Sequence, residues 1–577
     1  YTVSSKRIAN SQVSLDNFLI EGKLAGQKLF ASLSSIDDKK RKKLQVSTQI
    51  IRDGANYKLT LDPDEFYIMD KRWSLPAGHY IAFGKQGFLI HNLSLSNAGS
   101  QIGMASVHNQ FNDDLNIGIQ NFKLDDLSAI VEKDSSLLKG VVDGNVLLKR
   151  VNNAYGLIAD AKIASLFVRN VPLGDLTVKA ENASTERFNV AVKLSGTENN
   201  LEANGYFIPD STENSFRINT VIQALSLKTV QAFSMGAITQ ASGNLSGHVG
   251  IEGNTSAPEL TGELVFSNAS VTPAVLNNPL ELKHETIQLR KDGVYFDSFT
   301  ILDKHQHPAT INGMVKMDRF SDFVFALKVD TKEFLLFNTT AKDNKEIFGR
   351  MIIDSRIDIT GPMSLPVVNA ALKLKDGSHF TFSVPEERLT TDKGEDVVEF
   401  ETGEKLNPIL GRDEQTDDRK SNLTGFDVSS VIEIDKQATL RLLMDPTSSD
   451  SLVVKGEAAL SFTIDRSGKM SLTGAYNLNE GSYLVSLESV IKRRFEIERG
   501  STMVWNGDPY NAEIAINASY SVRTSPIDLM AGQLSDPGET DQSGYKQRYR
   551  FLVFLKLRGE LLHPEISFEI QLPPEDK

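Results

Sequence analysis

Hydrophobic and polar residues alternate along most of this chain with a period of two. Leu260, Gly262, Leu264 and Phe266 fall on one face of a run whose other face carries Thr261 and Glu263. Phe323, Phe325, Leu327 and Val329 alternate in the same way with Val324, Ala326, Lys328 and Asp330. Ile514, Ile516, Ala518 and Tyr520 repeat the pattern, and near the end Ile566, Phe568, Ile570 and Leu572 oppose Glu565, Ser567, Glu569 and Gln571. One apolar and one polar face predict half-buried antiparallel strands. Asp53-Gly54, Asp143-Gly144, Asp292-Gly293 and Asp376-Gly377 add hairpin signals. Helix signals are few and short. Leu124 to Val131, Leu227 to Phe233 and Phe334-Leu335-Leu336-Phe337 each follow a strand, and each predicts one or two turns that cap or bridge a unit.

A faint repeat of about a hundred residues overlies the alternation. Leu157-Ile158-Ala159, Leu260-Thr261-Gly262, Val368-Asn369-Ala370 and Leu472-Thr473-Gly474 recur at nearly constant spacing. So do Gly103, Gly205 and Gly313, the last two within Asn204-Gly205 and Asn312-Gly313, pairs suited to tight hairpin turns. Gly253 and Pro258 are echoed at Gly361 and Pro366. Several markers keeping one period mean that the whole unit repeats, as in stacked β arrays. The expected fold is therefore all-β, an elongated curled antiparallel sheet with an apolar interior and few short helices. Its units run 1–140, 141–243, 244–349, 350–455 and 456–577. The charged stretches 385–425 and 531–547 break the alternation and read as a long insertion and a loop.

Such a sheet must cover its apolar face. A curl that stays open needs an apolar guest, because soluble proteins rarely leave a large apolar patch without use. Acyl chains suit it, since each buried CH₂ contributes about 0.8 kcal/mol and asks for no hydrogen bond. A sealed, side-chain-filled solenoid satisfies the same pattern, and alternation alone leaves both open.

Composition removes several classes. Apolar residues make up 40%, so the chain is not disordered, and a net charge of −13 with no basic run among aromatics excludes a nucleic-acid partner. The basic cluster Lys39-Lys40-Arg41-Lys42-Lys43 beside Asp37-Asp38 reads as a solvated hairpin tip. The absence of cysteine is compatible with a bacterial periplasm. There is no apolar run of transmembrane length. The opening Tyr1-Thr2-Val3-Ser4-Ser5 lacks an initiator Met and reads as a processed or trimmed fragment.

Catalytic and metal chemistry is not visible. His305-Gln306-His307 places two imidazoles on one strand face, without a third ligand in register. Asp113-Asp114 and Asp417-Asp418 lie in loop-like contexts and read as solvating. No nucleophile elbow, phosphate-cradling loop or zinc-protease helix occurs. The expectation is a non-enzyme with no cofactor and no metal.

The last third carries a more specific signal. Gly500-Ser501-Thr502-Met503-Val504-Trp505-Asn506-Gly507-Asp508-Pro509 is followed by Ala512-Glu513-Ile514-Ala515-Ile516-Asn517-Ala518, then by Leu557-Arg558-Gly559-Glu560-Leu561-Leu562-His563-Pro564-Glu565-Ile566-Ser567-Phe568. This resembles the C-terminal domain of the TamB family, with Trp505, Gly507, Asp508 and Pro509 matching its hallmark turn. Ala512 stands where a second proline is common. The earlier Gly-x4-Pro-x-Leu-x-Gly units resemble the AsmA/TamB repeats upstream of that domain, and the long insertions resemble Bacteroidota members.

The resemblance implies a curled β-groove in the periplasm of a Gram-negative bacterium, in a parent protein anchored in the inner membrane by parts outside this chain. It implies phospholipid as transported ligand and an Omp85/TamA-like barrel as outer-membrane partner. The alternative it leaves is a scaffold or chaperone for inserting or secreting outer-membrane proteins. Lipid-contact candidates are the apolar alternates Leu260, Leu264, Phe266, Phe323, Phe325, Leu327, Ile514, Ile516, Tyr520, Ile566, Phe568 and Ile570. The motif residues Trp505, Gly507, Asp508 and Pro509 read as structural.

Overall fold

The computed structural model describes residues 1–9, 14–37, 40–68, 71–125, 138–151, 154–184, 187–210, 213–318, 322–384, 425–443, 451–487, 491–526 and 547–572. The chain is all-β, as the alternation predicts. The sequence units end at 140, 243, 349 and 455, and each of these positions falls inside a strand. Packing divides the chain into two compact units, one mainly Tyr1–Ala269 and the other mainly Ser321–Lys577. Ser270–Leu282 and Tyr295–Met317 join the second, and Lys283–Val294 joins the first.

In the first unit, strands Thr2–Ala9 through Gly87–His91 form one sheet. A meander of strands from Leu93–Asn97 to Ile238–Asn254 forms another, each pairing antiparallel with the next. The two meet over Phe66, Trp73 and Phe122, with the Trp73 and Phe122 rings 6.3 Å apart. Paired residues share a face, so the register assigns the faces directly. Met104, Ile117, Val146, Ala159, Ala180, Val190, Gly205, Ile218 and Ile251 form one unbroken transverse row. The adjacent row, on the opposite face, is Gly103, Gly118, Asn145, Asp160, Lys179, Ala191, Asn204, Asn219 and Gly250. That polar face carries cross-strand ion pairs, Lys179–Asp160 at 3.3 Å, Lys193–Glu202 at 2.6 Å and Arg217–Glu252 at 2.8 Å.

Several expected turns are corrected. Gly205 and Gly313 lie inside strands Asn200–Ile208 and Pro308–Asp318 and make no hairpin. The reason is contact between strands: a Cβ at Gly205 would stand 2.1 Å from the Arg217 carbonyl oxygen, and one at Gly313 2.1 Å from that of Ala326. These glycines let neighbouring backbones approach where a side chain would hold them apart. Asp143-Gly144 also sits inside strand Leu138–Val151. Asp53-Gly54 does mark a hairpin: Asp53 pairs with Asn56 across the two-residue turn Gly54-Ala55, with Gly54 at φ 61°.

The helix expected at Leu227 is present as Leu227–Phe233. Phe334-Leu335-Leu336-Phe337 is instead part of strand Asp322–Thr339, its backbone held by pairing with Ile347–Pro362. Of the first helix signal, residues 126–131 lie outside the described residues, as do 385–424 and 531–546. No helix among the described residues is long and apolar enough to cross a membrane.

In the second unit, Ile347–Pro362 takes two partners in succession, Val367–Leu374 and then His379–Ser383, across a corner at Asp376-Gly377. Ser451–Ile464 does the same with Asp427–Ile434 and Thr439–Leu443. The two bent pairs then lie side by side in parallel, Val367 facing Asp427 and His379 facing Thr439. This parallel step departs from a purely antiparallel sheet. Parallel neighbours require a connection of a dozen residues or more, and the sequence from Leu374 to Asp427 is long enough for one.

Beyond that step the sheet closes on its own apolar face. Leu452, Val454, Tyr476, Leu478, Met503, Ile514, Ile516, Leu555 and Leu557 form a sealed core, against which Met351, Phe380 and Phe382 of the earlier strands pack.

Candidate functional site

The candidate site is the apolar side of these sheets, which is built differently in different stretches. In the first unit, Leu260, Leu264 and Phe266 lie on strand Pro258–Pro273, with Leu264 paired to Ile287 and Gly262 to Leu289. All three are half-buried, as are Val146, Ala159, Ala180, Val190 and Ile251 of the transverse row. The row contains no charged residue, while the opposite face is laced with ion pairs. In the second unit, Phe323, Phe325 and Leu327 are likewise half-buried on Asp322–Thr339, Phe325 opposite Gly361 and Leu327 opposite Ile359.

The remaining candidates occupy other surroundings. Ile514 and Ile516 belong to the sealed core, with Ile516 wholly inaccessible. Tyr520 packs at the margin of that core, its ring 5.8 Å from Phe495. Ile566, Phe568 and Ile570 lie on strand Pro564–Gln571 opposite Leu557, Leu555 and Val553, and each is about half exposed. The other face of this strand is held by charge, with Lys556 on Glu569 at 2.7 Å.

The motif residues make a turn. Strand Ser501–Gly507 ends at Gly507, whose φ of 145° suits glycine. The Asp508 carboxylate then accepts the Tyr510 N–H at 2.9 Å, and the buried Trp505 donates its indole N–H to the Pro509 carbonyl at 3.2 Å. Tyr510, which the sequence pattern does not single out, swings over the rolled sheet. Its ring lies 5.4 Å from Phe382, and its hydroxyl donates to Glu346 at 3.4 Å. The turn thereby joins late strands to early ones within the second unit.

Sequence reasoning also misses two buried polar hubs. The Asn199 side-chain oxygen accepts the Ser226 N–H and the Thr229 hydroxyl, both at 3.0 Å, while its amide donates to the Leu173 carbonyl at 3.2 Å. Asp303, fully buried, accepts the N–H groups of His305, His307 and Leu335 at 2.7, 2.9 and 2.7 Å. Each hub sits at a hairpin end and holds the backbone of a later segment. Their spacing follows the sequence repeat, the signal that could have found them.

His305 and His307 are not on a strand face. They lie in the turn that Asp303 organises between Gly293–Leu302 and Pro308–Asp318. Their rings are 6.2 Å apart, and no group of three potential metal ligands occurs among the described residues. Asp113 and Asp114 are also structural: Asp113 holds His108 at 3.0 Å, and Asp114 accepts the Arg150 N–H at 2.7 Å. The Asp113 hydrogen bond raises the His108 imidazole above its ordinary value. At the basic tip, Arg41 pairs with Asp37 at 2.7 Å.

Residues 297–577 match a family model described as the TamB C-terminal domain. No curated protein and no solved structure matches the chain.

Proposed function

The chain belongs to the TamB family, and from that premise we propose that its half-buried apolar faces carry phospholipid acyl chains across the bacterial envelope. The family is a non-enzymatic envelope family of translocation and assembly modules that work with an outer-membrane component. In this reading the outer-membrane component is an Omp85/TamA-like barrel, and the strands stand in the periplasm. In this reading the parent protein is anchored in the inner membrane. No cofactor takes part.

One observation carries the reading. The row from Met104 to Ile251 crosses nine strands without a charge, and none of its members is sealed from solvent. Such a surface gains about 0.8 kcal/mol for each CH₂ it removes from water, and it offers a headgroup no partner that would arrest movement. Passage along it is diffusive and needs no covalent step.

The test is native mass spectrometry of the purified chain, with extraction and identification of bound lipid. Phospholipid should be present and should be lost in Leu264→Asp while the circular dichroism spectrum is kept. A lipid-free, folded chain would end the transport reading. The second reading, a scaffold for outer-membrane β-strands, draws on the half-exposed Ile566, Phe568 and Ile570 of strand Pro564–Gln571. It would then stand alone, through strand addition.

A further inference from the structure

Within the second unit, one alternating pattern is covered in two ways. Phe323, Phe325, Leu327 and Val329 are half-buried along Asp322–Thr339. From Ser451–Ile464 to Tyr549–Glu560 the equivalent positions are filled by the protein itself. Val454, Tyr476, Met503, Ile516 and Leu555 have no accessible surface. The change coincides with the parallel step, after which the sheet rolls until Met351, Phe380 and Phe382 meet the late strands. The turn from Trp505 to Tyr510 fastens the roll against Phe382 and Glu346.

We infer that the acyl-accessible stretch of the second unit ends at strand Ile347–Pro362, and that the strands from Ser451–Ile464 to Tyr549–Glu560 form a closed stopper clasped by the Trp505–Tyr510 turn. The inference rests on the acyl-chain reading above and adds where the chain must leave. A packed interior holds no void wide enough for an alkyl chain. A lipid advancing along the second unit therefore departs sideways before the roll. Ile514 and Ile516 serve the stopper's core and touch no lipid.

The absence of native cysteine makes the test direct, because any introduced thiol is unique. Full chains carrying Leu264→Cys, Phe325→Cys, Leu478→Cys, Ile516→Cys or the milder Val454→Cys are treated with hexadecyl methanethiosulfonate. Each treatment is run with and without phosphatidylethanolamine–phosphatidylglycerol vesicles, after a thermal melt shows that the variant is folded. The thiols of Leu264→Cys and Phe325→Cys are expected to react, and vesicles to slow them. The three stopper thiols should react at least about ten-fold more slowly until urea is added, since a buried group waits for local opening. Stopper thiols reacting as fast as that of Leu264→Cys, with slowing by vesicles, would overturn the inference while leaving the acyl-chain reading intact. Uniformly slow reaction in all five variants would sink the acyl-chain reading and this inference together.

Discussion

The Tyr510 ring packs against that of Phe382 at a centroid distance of 5.4 Å and a tilt of 31°, joining the turn after Ser501–Gly507 to a strand that precedes the parallel step. The contact closes the roll at its rim, where Trp505 is already locked by its bond to Pro509. Trp505→Ala should destabilise the second unit by about 3–5 kcal/mol, the range for removing a buried aromatic. Tyr510→Ala should cost less, and Tyr510→Phe under about 1 kcal/mol, because the ring contact survives and only an exchangeable hydrogen bond is lost. Urea denaturation of the three variants measures the order. Equal losses for Tyr510→Phe and Tyr510→Ala would show that the Glu346 bond, not the ring contact, is the clasp.

Asp303 predicts a larger effect than its turn position suggests. It is fully buried and accepts three backbone N–H groups. Asp303→Ala strands those donors in a dry environment, each unmet group costing about 1–3 kcal/mol. Loss of several kcal/mol is expected, with hydrogen exchange rising first at Leu335. If the Leu335 amide stays as protected as before, the hub does not hold that segment.

Gly205 tests the close strand approach. An added Cβ would sit 2.1 Å from the Arg217 oxygen and 2.8 Å from the Ile218 Cα, both backbone atoms with little room to yield. Gly205→Ala should therefore destabilise by about 1–3 kcal/mol, as overpacking does. The same change at a slack mid-strand glycine would stabilise, because glycine costs entropy in a strand. A variant with a higher melting temperature would contradict the close approach.

Leu264 and Ile516 show how far the sequence can be read. Both stand in clean period-two runs, so strand, face and all-β class are legible in each. Alternation names the apolar face but not what covers it. Leu264 is half-buried and Ile516 inaccessible because only the later strands roll shut. Strand direction leaves no trace in alternation either, so Val367 beside Asp427 in parallel is invisible there. Phe334 to Phe337 read as helical because four apolar residues in a row fit a short buried helix as well as a strand. Pairing with Ile347–Pro362 decides the matter. Asn204-Gly205 carries the right residues for a turn, but its place is set by the neighbouring strand's carbonyl.

Acid should weaken the second unit through Asp354. Burial alone would push this carboxyl up, but the Glu333 N–H and the Lys375 ammonium, 3.2 Å away, outweigh it and leave it below the ordinary carboxylate value. A carboxyl depressed in the folded state contributes stability above its unfolded pKa of about 3.9, and that contribution is lost as pH falls through the folded value. Stability should therefore be flat down to about pH 5 and decline below it, with a shallower decline in Asp354→Asn. Identical acid limbs for the two proteins would exclude Asp354 as a contributor.

Tyr476 makes the opposite kind of prediction. Its side chain is wholly buried among Leu452, Leu478 and Met503, and its hydroxyl has no hydrogen-bond partner. Burial also pushes the phenol's pKa up, so the group stays neutral throughout the accessible pH range. A buried hydroxyl without a partner costs about 1–3 kcal/mol of desolvation, and phenylalanine has the same shape without that cost. Tyr476→Phe should consequently match or exceed the parent in urea midpoint, by up to about 1–2 kcal/mol, whereas Tyr476→Ala should lose about 3–5 kcal/mol by leaving a cavity. A clear loss in Tyr476→Phe would mean that the hydroxyl is satisfied by a bound water. The roll would then contain an internal polar site where its packing indicates a dry core.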